Sequence, residues 1–139
     1  MITPYLKSSG KVKKEKKPRK QKTEKQKLQE EADKLYQEVG RELNDSCLIC
    51  GGEYSCLHHF IRKSQSTALR YDLENGIPIC HICHCRIHTG QDSSTTARIV
   101  LIKGIQWFEM IDARKRLGLG LNYGITWYKA QYERLKLLK

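Results

Sequence analysis

Apolar residues recur every three or four positions at Leu28, Ala32, Leu35, Val39 and Leu43, with Lys and Glu between them. A single stripe of that period predicts an amphipathic helix, setting in near Glu24 and assigned to residues 28–45. Gly40 weakens its last turn, and Asn44-Asp45 end it. Packing on the following domain and self-association are both open to such a stripe. The period then falls to two. Leu57-His58-His59-Phe60 alternates apolar and polar residues as a short strand does, and Gly76-Ile77-Pro78-Ile79-Cys80 reads as a second. CHICHCRIH, from Cys80, begins a helix.

Downstream, residues 91–96 read as a loop ending in helix-capping residues. Helices are expected over 97–103 and 105–117, interrupted near Gly104, with Trp107, Phe108 and Ile111 on the buried side of the second. Arg114, Lys115 and Arg116 suit that helix's C-terminal dipole or a phosphate equally. GLGLNYG is a turn-rich connector. Thr126 is placed to cap a last helix whose Tyr128, Tyr132 and Leu135 share one face. The order of elements makes the chain α+β. Its expected units are a basic, disordered tail (1–27), the amphipathic helix (28–45), a zinc-stabilised core (46–92) and a helical segment (93–139).

Composition changes this picture in two ways. At 139 residues and 39% hydrophobic content, one domain with a modest core is expected, and small cores often need a metal or covalent staple. The formal net charge is +11, and residues 11–27 carry ten Lys or Arg against two acids. Such a run cannot bury a core, so it should stay disordered. Lys13, Lys14, Lys16, Lys17, Arg19 and Lys20 would lie along a phosphate backbone, a solubilising tail being the alternative. A polyanionic partner, DNA foremost, is the implication. The chain shows neither an apolar run of membrane-spanning length nor a signal-peptide pattern at its N-terminus, so no membrane association and a cytoplasmic location are expected.

In a reducing compartment, Cys-x-x-Cys pairs bind metal or do redox chemistry more often than they form disulfides. Cys47-x-x-Cys50 and Cys80-x-x-Cys83 are separated by twenty-nine residues. Each knuckle aims two sulfurs at one ion, so the four can close a tetrahedral, structural Zn²⁺ site with no open position. Gly51-Gly52 supplies the permissive backbone that the first turn needs. Cys56 and Cys85 are left over and are expected to pack; His81 is expected at the surface.

Strand, loop, strand and helix, carrying His58-His59, Asn75 and His84-x-x-x-His88 in that order, resemble the HNH or ββα-metal nuclease fold. The spacing is similar to that of the nuclease colicins: a His-His pair, Tyr71-Asp72 before Asn75, then His-x-x-x-His and Gly90. The resemblance implies that His59 is the general base and that Asn75 holds it in the right tautomer, through its side-chain or backbone carbonyl. Adjacent strand residues face opposite ways, so His58 has a different duty. It faces the helix, where His84 and His88 sit one turn apart on one face. Together the three can hold a catalytic divalent ion: Mg²⁺ or Mn²⁺, or, given imidazole ligands, Ni²⁺ or Zn²⁺. Arg62, Lys63 and Arg70 fall in the loop that borders the scissile phosphate in this fold. Histidines that merely complete a zinc-ribbon fold are the alternative.

A nearer resemblance is to the NinG (Rap) recombination endonucleases of lambdoid phages. It rests on Asp45, CLICGG, His59-Phe60, Leu69-Arg70-Tyr71, Asn75 and the second knuckle, then on ARIVLIKGIQWFEMIDARK and ITWYKAQYERLKLL, covering roughly the C-terminal two-thirds. The chain departs from that family in lacking its additional N-terminal cysteine cluster. It also carries His84 where that family tends to have Asn. The resemblance implies hydrolysis of branched recombination intermediates, Holliday junctions and D-loops, in a host cytoplasm. A second copy of the chain and recombination proteins of host or phage are its candidate protein partners. The competing expectations are a general HNH nicking, restriction or packaging-type endonuclease and a non-catalytic, zinc-clasped DNA-binding protein.

Overall fold

A computed structural model describes residues 21–89 and 94–139. It is α+β: among the described residues, five α-helices surround one two-stranded antiparallel sheet. Helix α1 (Glu24–Leu43) begins at a capping box, in which Thr23 Oγ1 accepts from Gln26 N–H and Gln26 accepts from Thr23 N–H. Two N-terminal donors are thereby satisfied reciprocally. The helix thus starts ahead of residue 28, and its first turn takes the last residues assigned to the tail. Ala32, Leu35 and Val39 are buried as the stripe predicts, whereas Leu43 is 60% exposed. Tyr36 and Gly40 join the buried face instead.

Strands β1 (Cys56–His59) and β2 (Gly76–Ile79) pair in the register Leu57–Pro78, His58–Ile77 and His59–Gly76. A short 3-10 turn, Leu73–Asn75, feeds β2 directly. Helix α2 (His81–Thr89) follows β2 after Cys80 alone. Pro78 is tolerated because Leu57 opposite it turns its own backbone groups away from β2, toward α1. Gly76 is needed where it sits: a Cβ there would come within 2.6 Å of Leu57 Cγ and of the Tyr36 hydroxyl.

The hairpin separates two apolar clusters. One gathers Cys47, Ile49, Leu69, Ile77, Ile79 and Cys83 with Ile99, Trp107 and Ile111 of the C-terminal helices. The other places Ala32, Leu35, Tyr36 and Val39 of α1 against Leu57, Tyr71, Tyr128 and Leu135. Helices α3 (Ser94–Lys103) and α4 (Ile105–Leu117) meet at Gly104, whose φ of 92° favours glycine. Ser94, Thr95 and Thr96 lie inside α3 rather than in the expected loop, and Thr95 is buried. Helix α5 (Ile125–Lys136) starts at Gly124, so Thr126 is within it and does not cap it. Among the described residues no helix is long and apolar enough to cross a membrane.

Candidate functional site

The first knuckle is a tight turn in which Gly51 N–H donates to Cys47 O and Cys47 N–H to Gly52 O. Gly51 takes a φ of 71°, the conformation its sequence position called for. Leu48 N–H donates to Pro78 O and so ties this turn to β2, which ends at the second knuckle. The sulfurs of Cys47, Cys50, Cys80 and Cys83 consequently lie within 4.8 Å of one another. Zinc–sulfur bonds of about 2.3 Å in a tetrahedron put sulfurs roughly 3.8 Å apart; Cys50 Sγ and Cys80 Sγ are 3.6 Å apart. These four cysteines can hold a structural metal ion such as zinc.

Burial works against ionisation of Cys47, but backbone N–H groups of Cys50, Cys80 and Ile49 bring its thiol down to about 7. Burial and the neighbouring sulfurs push Cys83 up. A cation at the centre removes that conflict, because a coordinating thiol is deprotonated outright. Cys56 is half-buried against the same cluster, whereas Cys85 is exposed beside the exposed His81, 3.5 Å from its Nε2, and does not pack as expected.

On the same face of the sheet as Cys56, His58 meets the two histidines of α2. Its ring centroid is 5.3 Å from that of His84 and 5.5 Å from that of His88. The Nε2 atoms of His84 and His88 stand 2.8 Å apart, and Nδ1 of His84 lies 3.5 Å from Cys56 Sγ. Donor atoms of all three histidines fall within 4.8 Å of one another. Burial, then the positive charge His84 and His88 would carry, pushes His58 down to about 4. His84 is likewise lowered, by burial and then by His88 and His81. Both shifts favour the neutral ring, the form in which imidazole binds a metal.

His59 faces elsewhere. Its ring stacks on Tyr36 at 4.9 Å between centroids, and its Nε2 is 2.7 Å from the backbone carbonyl of Arg70. A carbonyl only accepts, so Nε2 carries the proton and Nδ1 is left as the basic nitrogen. Burial lowers the basicity of His59, and the Arg70 carbonyl partly opposes it.

Asn75 differs from expectation in how it acts. Its side chain is fully buried and touches the loop rather than the ring: Oδ1 accepts from Ile61 N–H at 2.8 Å, and Nδ2 donates to Ile61 O and Leu69 O at 3.0 and 3.2 Å. Its carbonyl accepts from Phe60 N–H. Asn75 thus closes the loop between the strands, and the carbonyl that holds His59 belongs to Arg70.

His58, His59, His84 and His88 line one cleft of about 470 Å³ together with Arg62 and Lys63, both exposed. Arg70 does not join them. Its side chain is 14% exposed and forms a two-pronged pair with Asp33 of α1, Nε to Oδ1 at 2.8 Å and Nη2 to Oδ2 at 2.6 Å. Arg70 was expected on phosphate because its loop borders the scissile phosphate in the fold the chain resembles; an acidic partner thirty-seven positions away in sequence withdraws it. Lys13, Lys14, Lys16, Lys17, Arg19 and Lys20 lie outside the described residues.

Three residues of this site escaped the sequence reading. Asp33, Tyr36 and Gln37 are on α1, and Gln37 lines the cleft itself. Only their i, i+3, i+4 spacing could have grouped them. Comparison with protein-family models, with curated proteins and with solved structures found no significant match to the chain.

Proposed function

We propose that this chain is a metal-dependent DNA endonuclease of the HNH, ββα-metal type, acting on branched recombination intermediates. One observation carries the nuclease reading. Three converging imidazoles lie in one cleft with a fourth, His59, that a backbone carbonyl fixes in a single tautomer. Metal binding and proton transfer thereby fall to separate histidines on adjacent strand positions. The branched substrate rests on the likeness of CLICGG, Leu69-Arg70-Tyr71 and the C-terminal helices to the NinG endonucleases.

In this mechanism Nδ1 of His59 takes a proton from water as the water oxygen bonds to phosphorus. The P–O3′ bond then breaks with its electron pair going to the 3′ oxygen, which takes a proton from a solvent water, leaving a 5′-phosphate and a 3′-hydroxyl. His58, His84 and His88 would hold a divalent ion, Mg²⁺ or Mn²⁺ foremost with Ni²⁺ or Zn²⁺ also suited to imidazole, and such an ion would supply charge neutralisation for the phosphodiester. Arg62 and Lys63 hold the flanking phosphates, and the four cysteines fix β2 against the first knuckle so that His84 keeps its place. The basic N-terminal residues add sequence-independent affinity for the backbone.

The test incubates zinc-loaded protein with matched linear duplex, fork, D-loop and four-way junction, with Mg²⁺, Mn²⁺ or neither. Metal-dependent cleavage that favours branched substrates is expected. Equal cutting of linear DNA would remove the branch preference, and no cleavage of any substrate would remove the nuclease.

A further inference from the structure

The nitrogen that His59 leaves basic depends on where the Arg70 carbonyl sits, and that carbonyl belongs to a loop residue. A loop peptide holds one position only if something anchors it. For Arg70 the anchor is its own guanidinium, clamped by both carboxylate oxygens of Asp33 at 2.8 and 2.6 Å. Paired forks of this kind fix geometry as well as supplying energy. Tyr71 Oη, 3.2 Å from Arg70 Nε, donates in turn to Gln29 O at 3.2 Å, so a second α1 residue steadies the same loop.

The same face of α1 touches the site twice more, at positions i+3 and i+4 from Asp33. Tyr36 lies against the His59 ring, tilted by 26°, and its hydroxyl donates to Asp72 O. Gln37 spreads its amide along the open edge of β1, donating to Leu57 O and accepting from Leu57 N–H, both at 2.9 Å. That amide replaces a neighbouring strand just ahead of His58 and His59. The helix therefore borders the ββα element and controls the angle and the tautomer of its proposed base.

We propose that Asp33 is a positioning residue for His59, acting through Arg70, and that α1 is a working part of the catalytic unit. The inference rests on the endonuclease reading for its consequence but on the hydrogen bonds alone for its geometry. Losing the clamp lets the Arg70 peptide shift, the Nε2–H bond weakens, and His59 samples the tautomer in which Nδ1 bears the proton and cannot accept one.

The experiment uses the full chain, zinc-loaded and ¹⁵N-labelled at histidine, and reads the His59 tautomer by long-range ¹H–¹⁵N correlation alongside steady-state cleavage. The wild type should show one tautomer, protonated at Nε2. Asp33→Ala should show a mixture, with kcat lowered about 10- to 100-fold, as small misplacements of a reacting group do, while KM for DNA is not raised, since the variant also releases Lys63, 3.3 Å from Asp33 Oδ2, toward phosphate. Asp33→Glu, which restores a carboxylate, should recover most of both. A single unchanged tautomer in Asp33→Ala would overturn the proposal. If Asp33→Ala fails to retain zinc, Asp33→Leu keeps the bulk of the side chain while removing both acceptors of the Arg70 guanidinium. A tautomer mixture there supports the proposal, and an unshifted His59 overturns it. Should the wild type cut no DNA, the endonuclease reading falls while the tautomer comparison still decides the role of Asp33.

Discussion

Removing the Asn75 side chain separates a structural role from a chemical one. Asn75→Ala deletes three hydrogen bonds at once. Two involve the part-buried Ile61 backbone and one the carbonyl of the buried Leu69. Part-buried groups can recruit water, at a net cost of about 1 kcal/mol each, while the buried carbonyl left alone costs roughly 1–3 kcal/mol. The sum, about 3–5 kcal/mol, is a large share of the roughly 5–15 kcal/mol that holds a typical domain together. Urea unfolding at fixed free zinc, followed by tryptophan fluorescence, measures it. Asn75→Asp adds a sign. Its carboxylate cannot donate to the two carbonyls and is desolvated, so its folded-state pKa is raised. The stability of that variant relative to wild type should therefore be highest below the unfolded carboxylate value of about 3.9 and be lost as pH rises through the folded value. A loss under about 1 kcal/mol for Asn75→Ala, with cleavage nevertheless abolished, would refute the loop-closing role and return Asn75 to direct chemistry.

Chelating the zinc, or replacing Cys83 with Ser, should unfold the cluster containing Ile77, Ile79 and Trp107 and abolish cleavage. Structural zinc is worth roughly 10–16 kcal/mol in small domains, and near-UV dichroism with a zinc-release assay reads the loss; a folded, active apo-protein would contradict it. His84→Ala should cost Ni²⁺ or Mn²⁺ binding in the cleft while leaving one zinc per chain, as counted by elemental analysis and calorimetry. Gly76→Ala should lose about 1–3 kcal/mol through overpacking, since the new methyl meets Leu57 and Tyr36 at 2.6 Å; an unchanged urea midpoint would show that this approach is looser than described. Gln37→Met preserves bulk but frees the Leu57 backbone, so the Leu57 amide should exchange with solvent at least about tenfold faster, a local opening read by hydrogen exchange.

Much of this architecture was legible because it is written in short-range patterns. The knuckles announce themselves by spacing, the two strands by alternation next to them, and α1 by its three-four stripe. The glycine at 51 sits at positive φ, as its place in a knuckle implies. What failed had no local signature. Leu43 fits the stripe by period, yet the helix outruns its partner there and the side chain stays exposed. Gly40 read as a weak point, whereas a Cβ there would press within about 3 Å of Leu57 and Tyr54, so the residue lets β1 approach. Thr126 fits a cap by type, but the backbone turns helical one residue before it. Arg70 and Asp33 form their pair only once loop and helix meet, and the buried amide of Asn75 finds its partners in a loop whose course periodicity does not encode. Polar residues whose work is to fix another residue are the ones a sequence hides best.

The proposed duty of His59 is to transfer the proton in a metal-dependent phosphodiester cleavage. Single-turnover cleavage of a four-way junction in Mn²⁺, comparing wild type with His59→Ala while tracking zinc content and Ni²⁺ binding, tests it most directly. The wild type should cut in a metal-dependent manner and the variant should lose about 10²- to 10⁴-fold, the usual worth of a general base, with both metals retained. Cleavage that survives His59→Ala undiminished, or a wild type that binds its metals and never cuts, would contradict it.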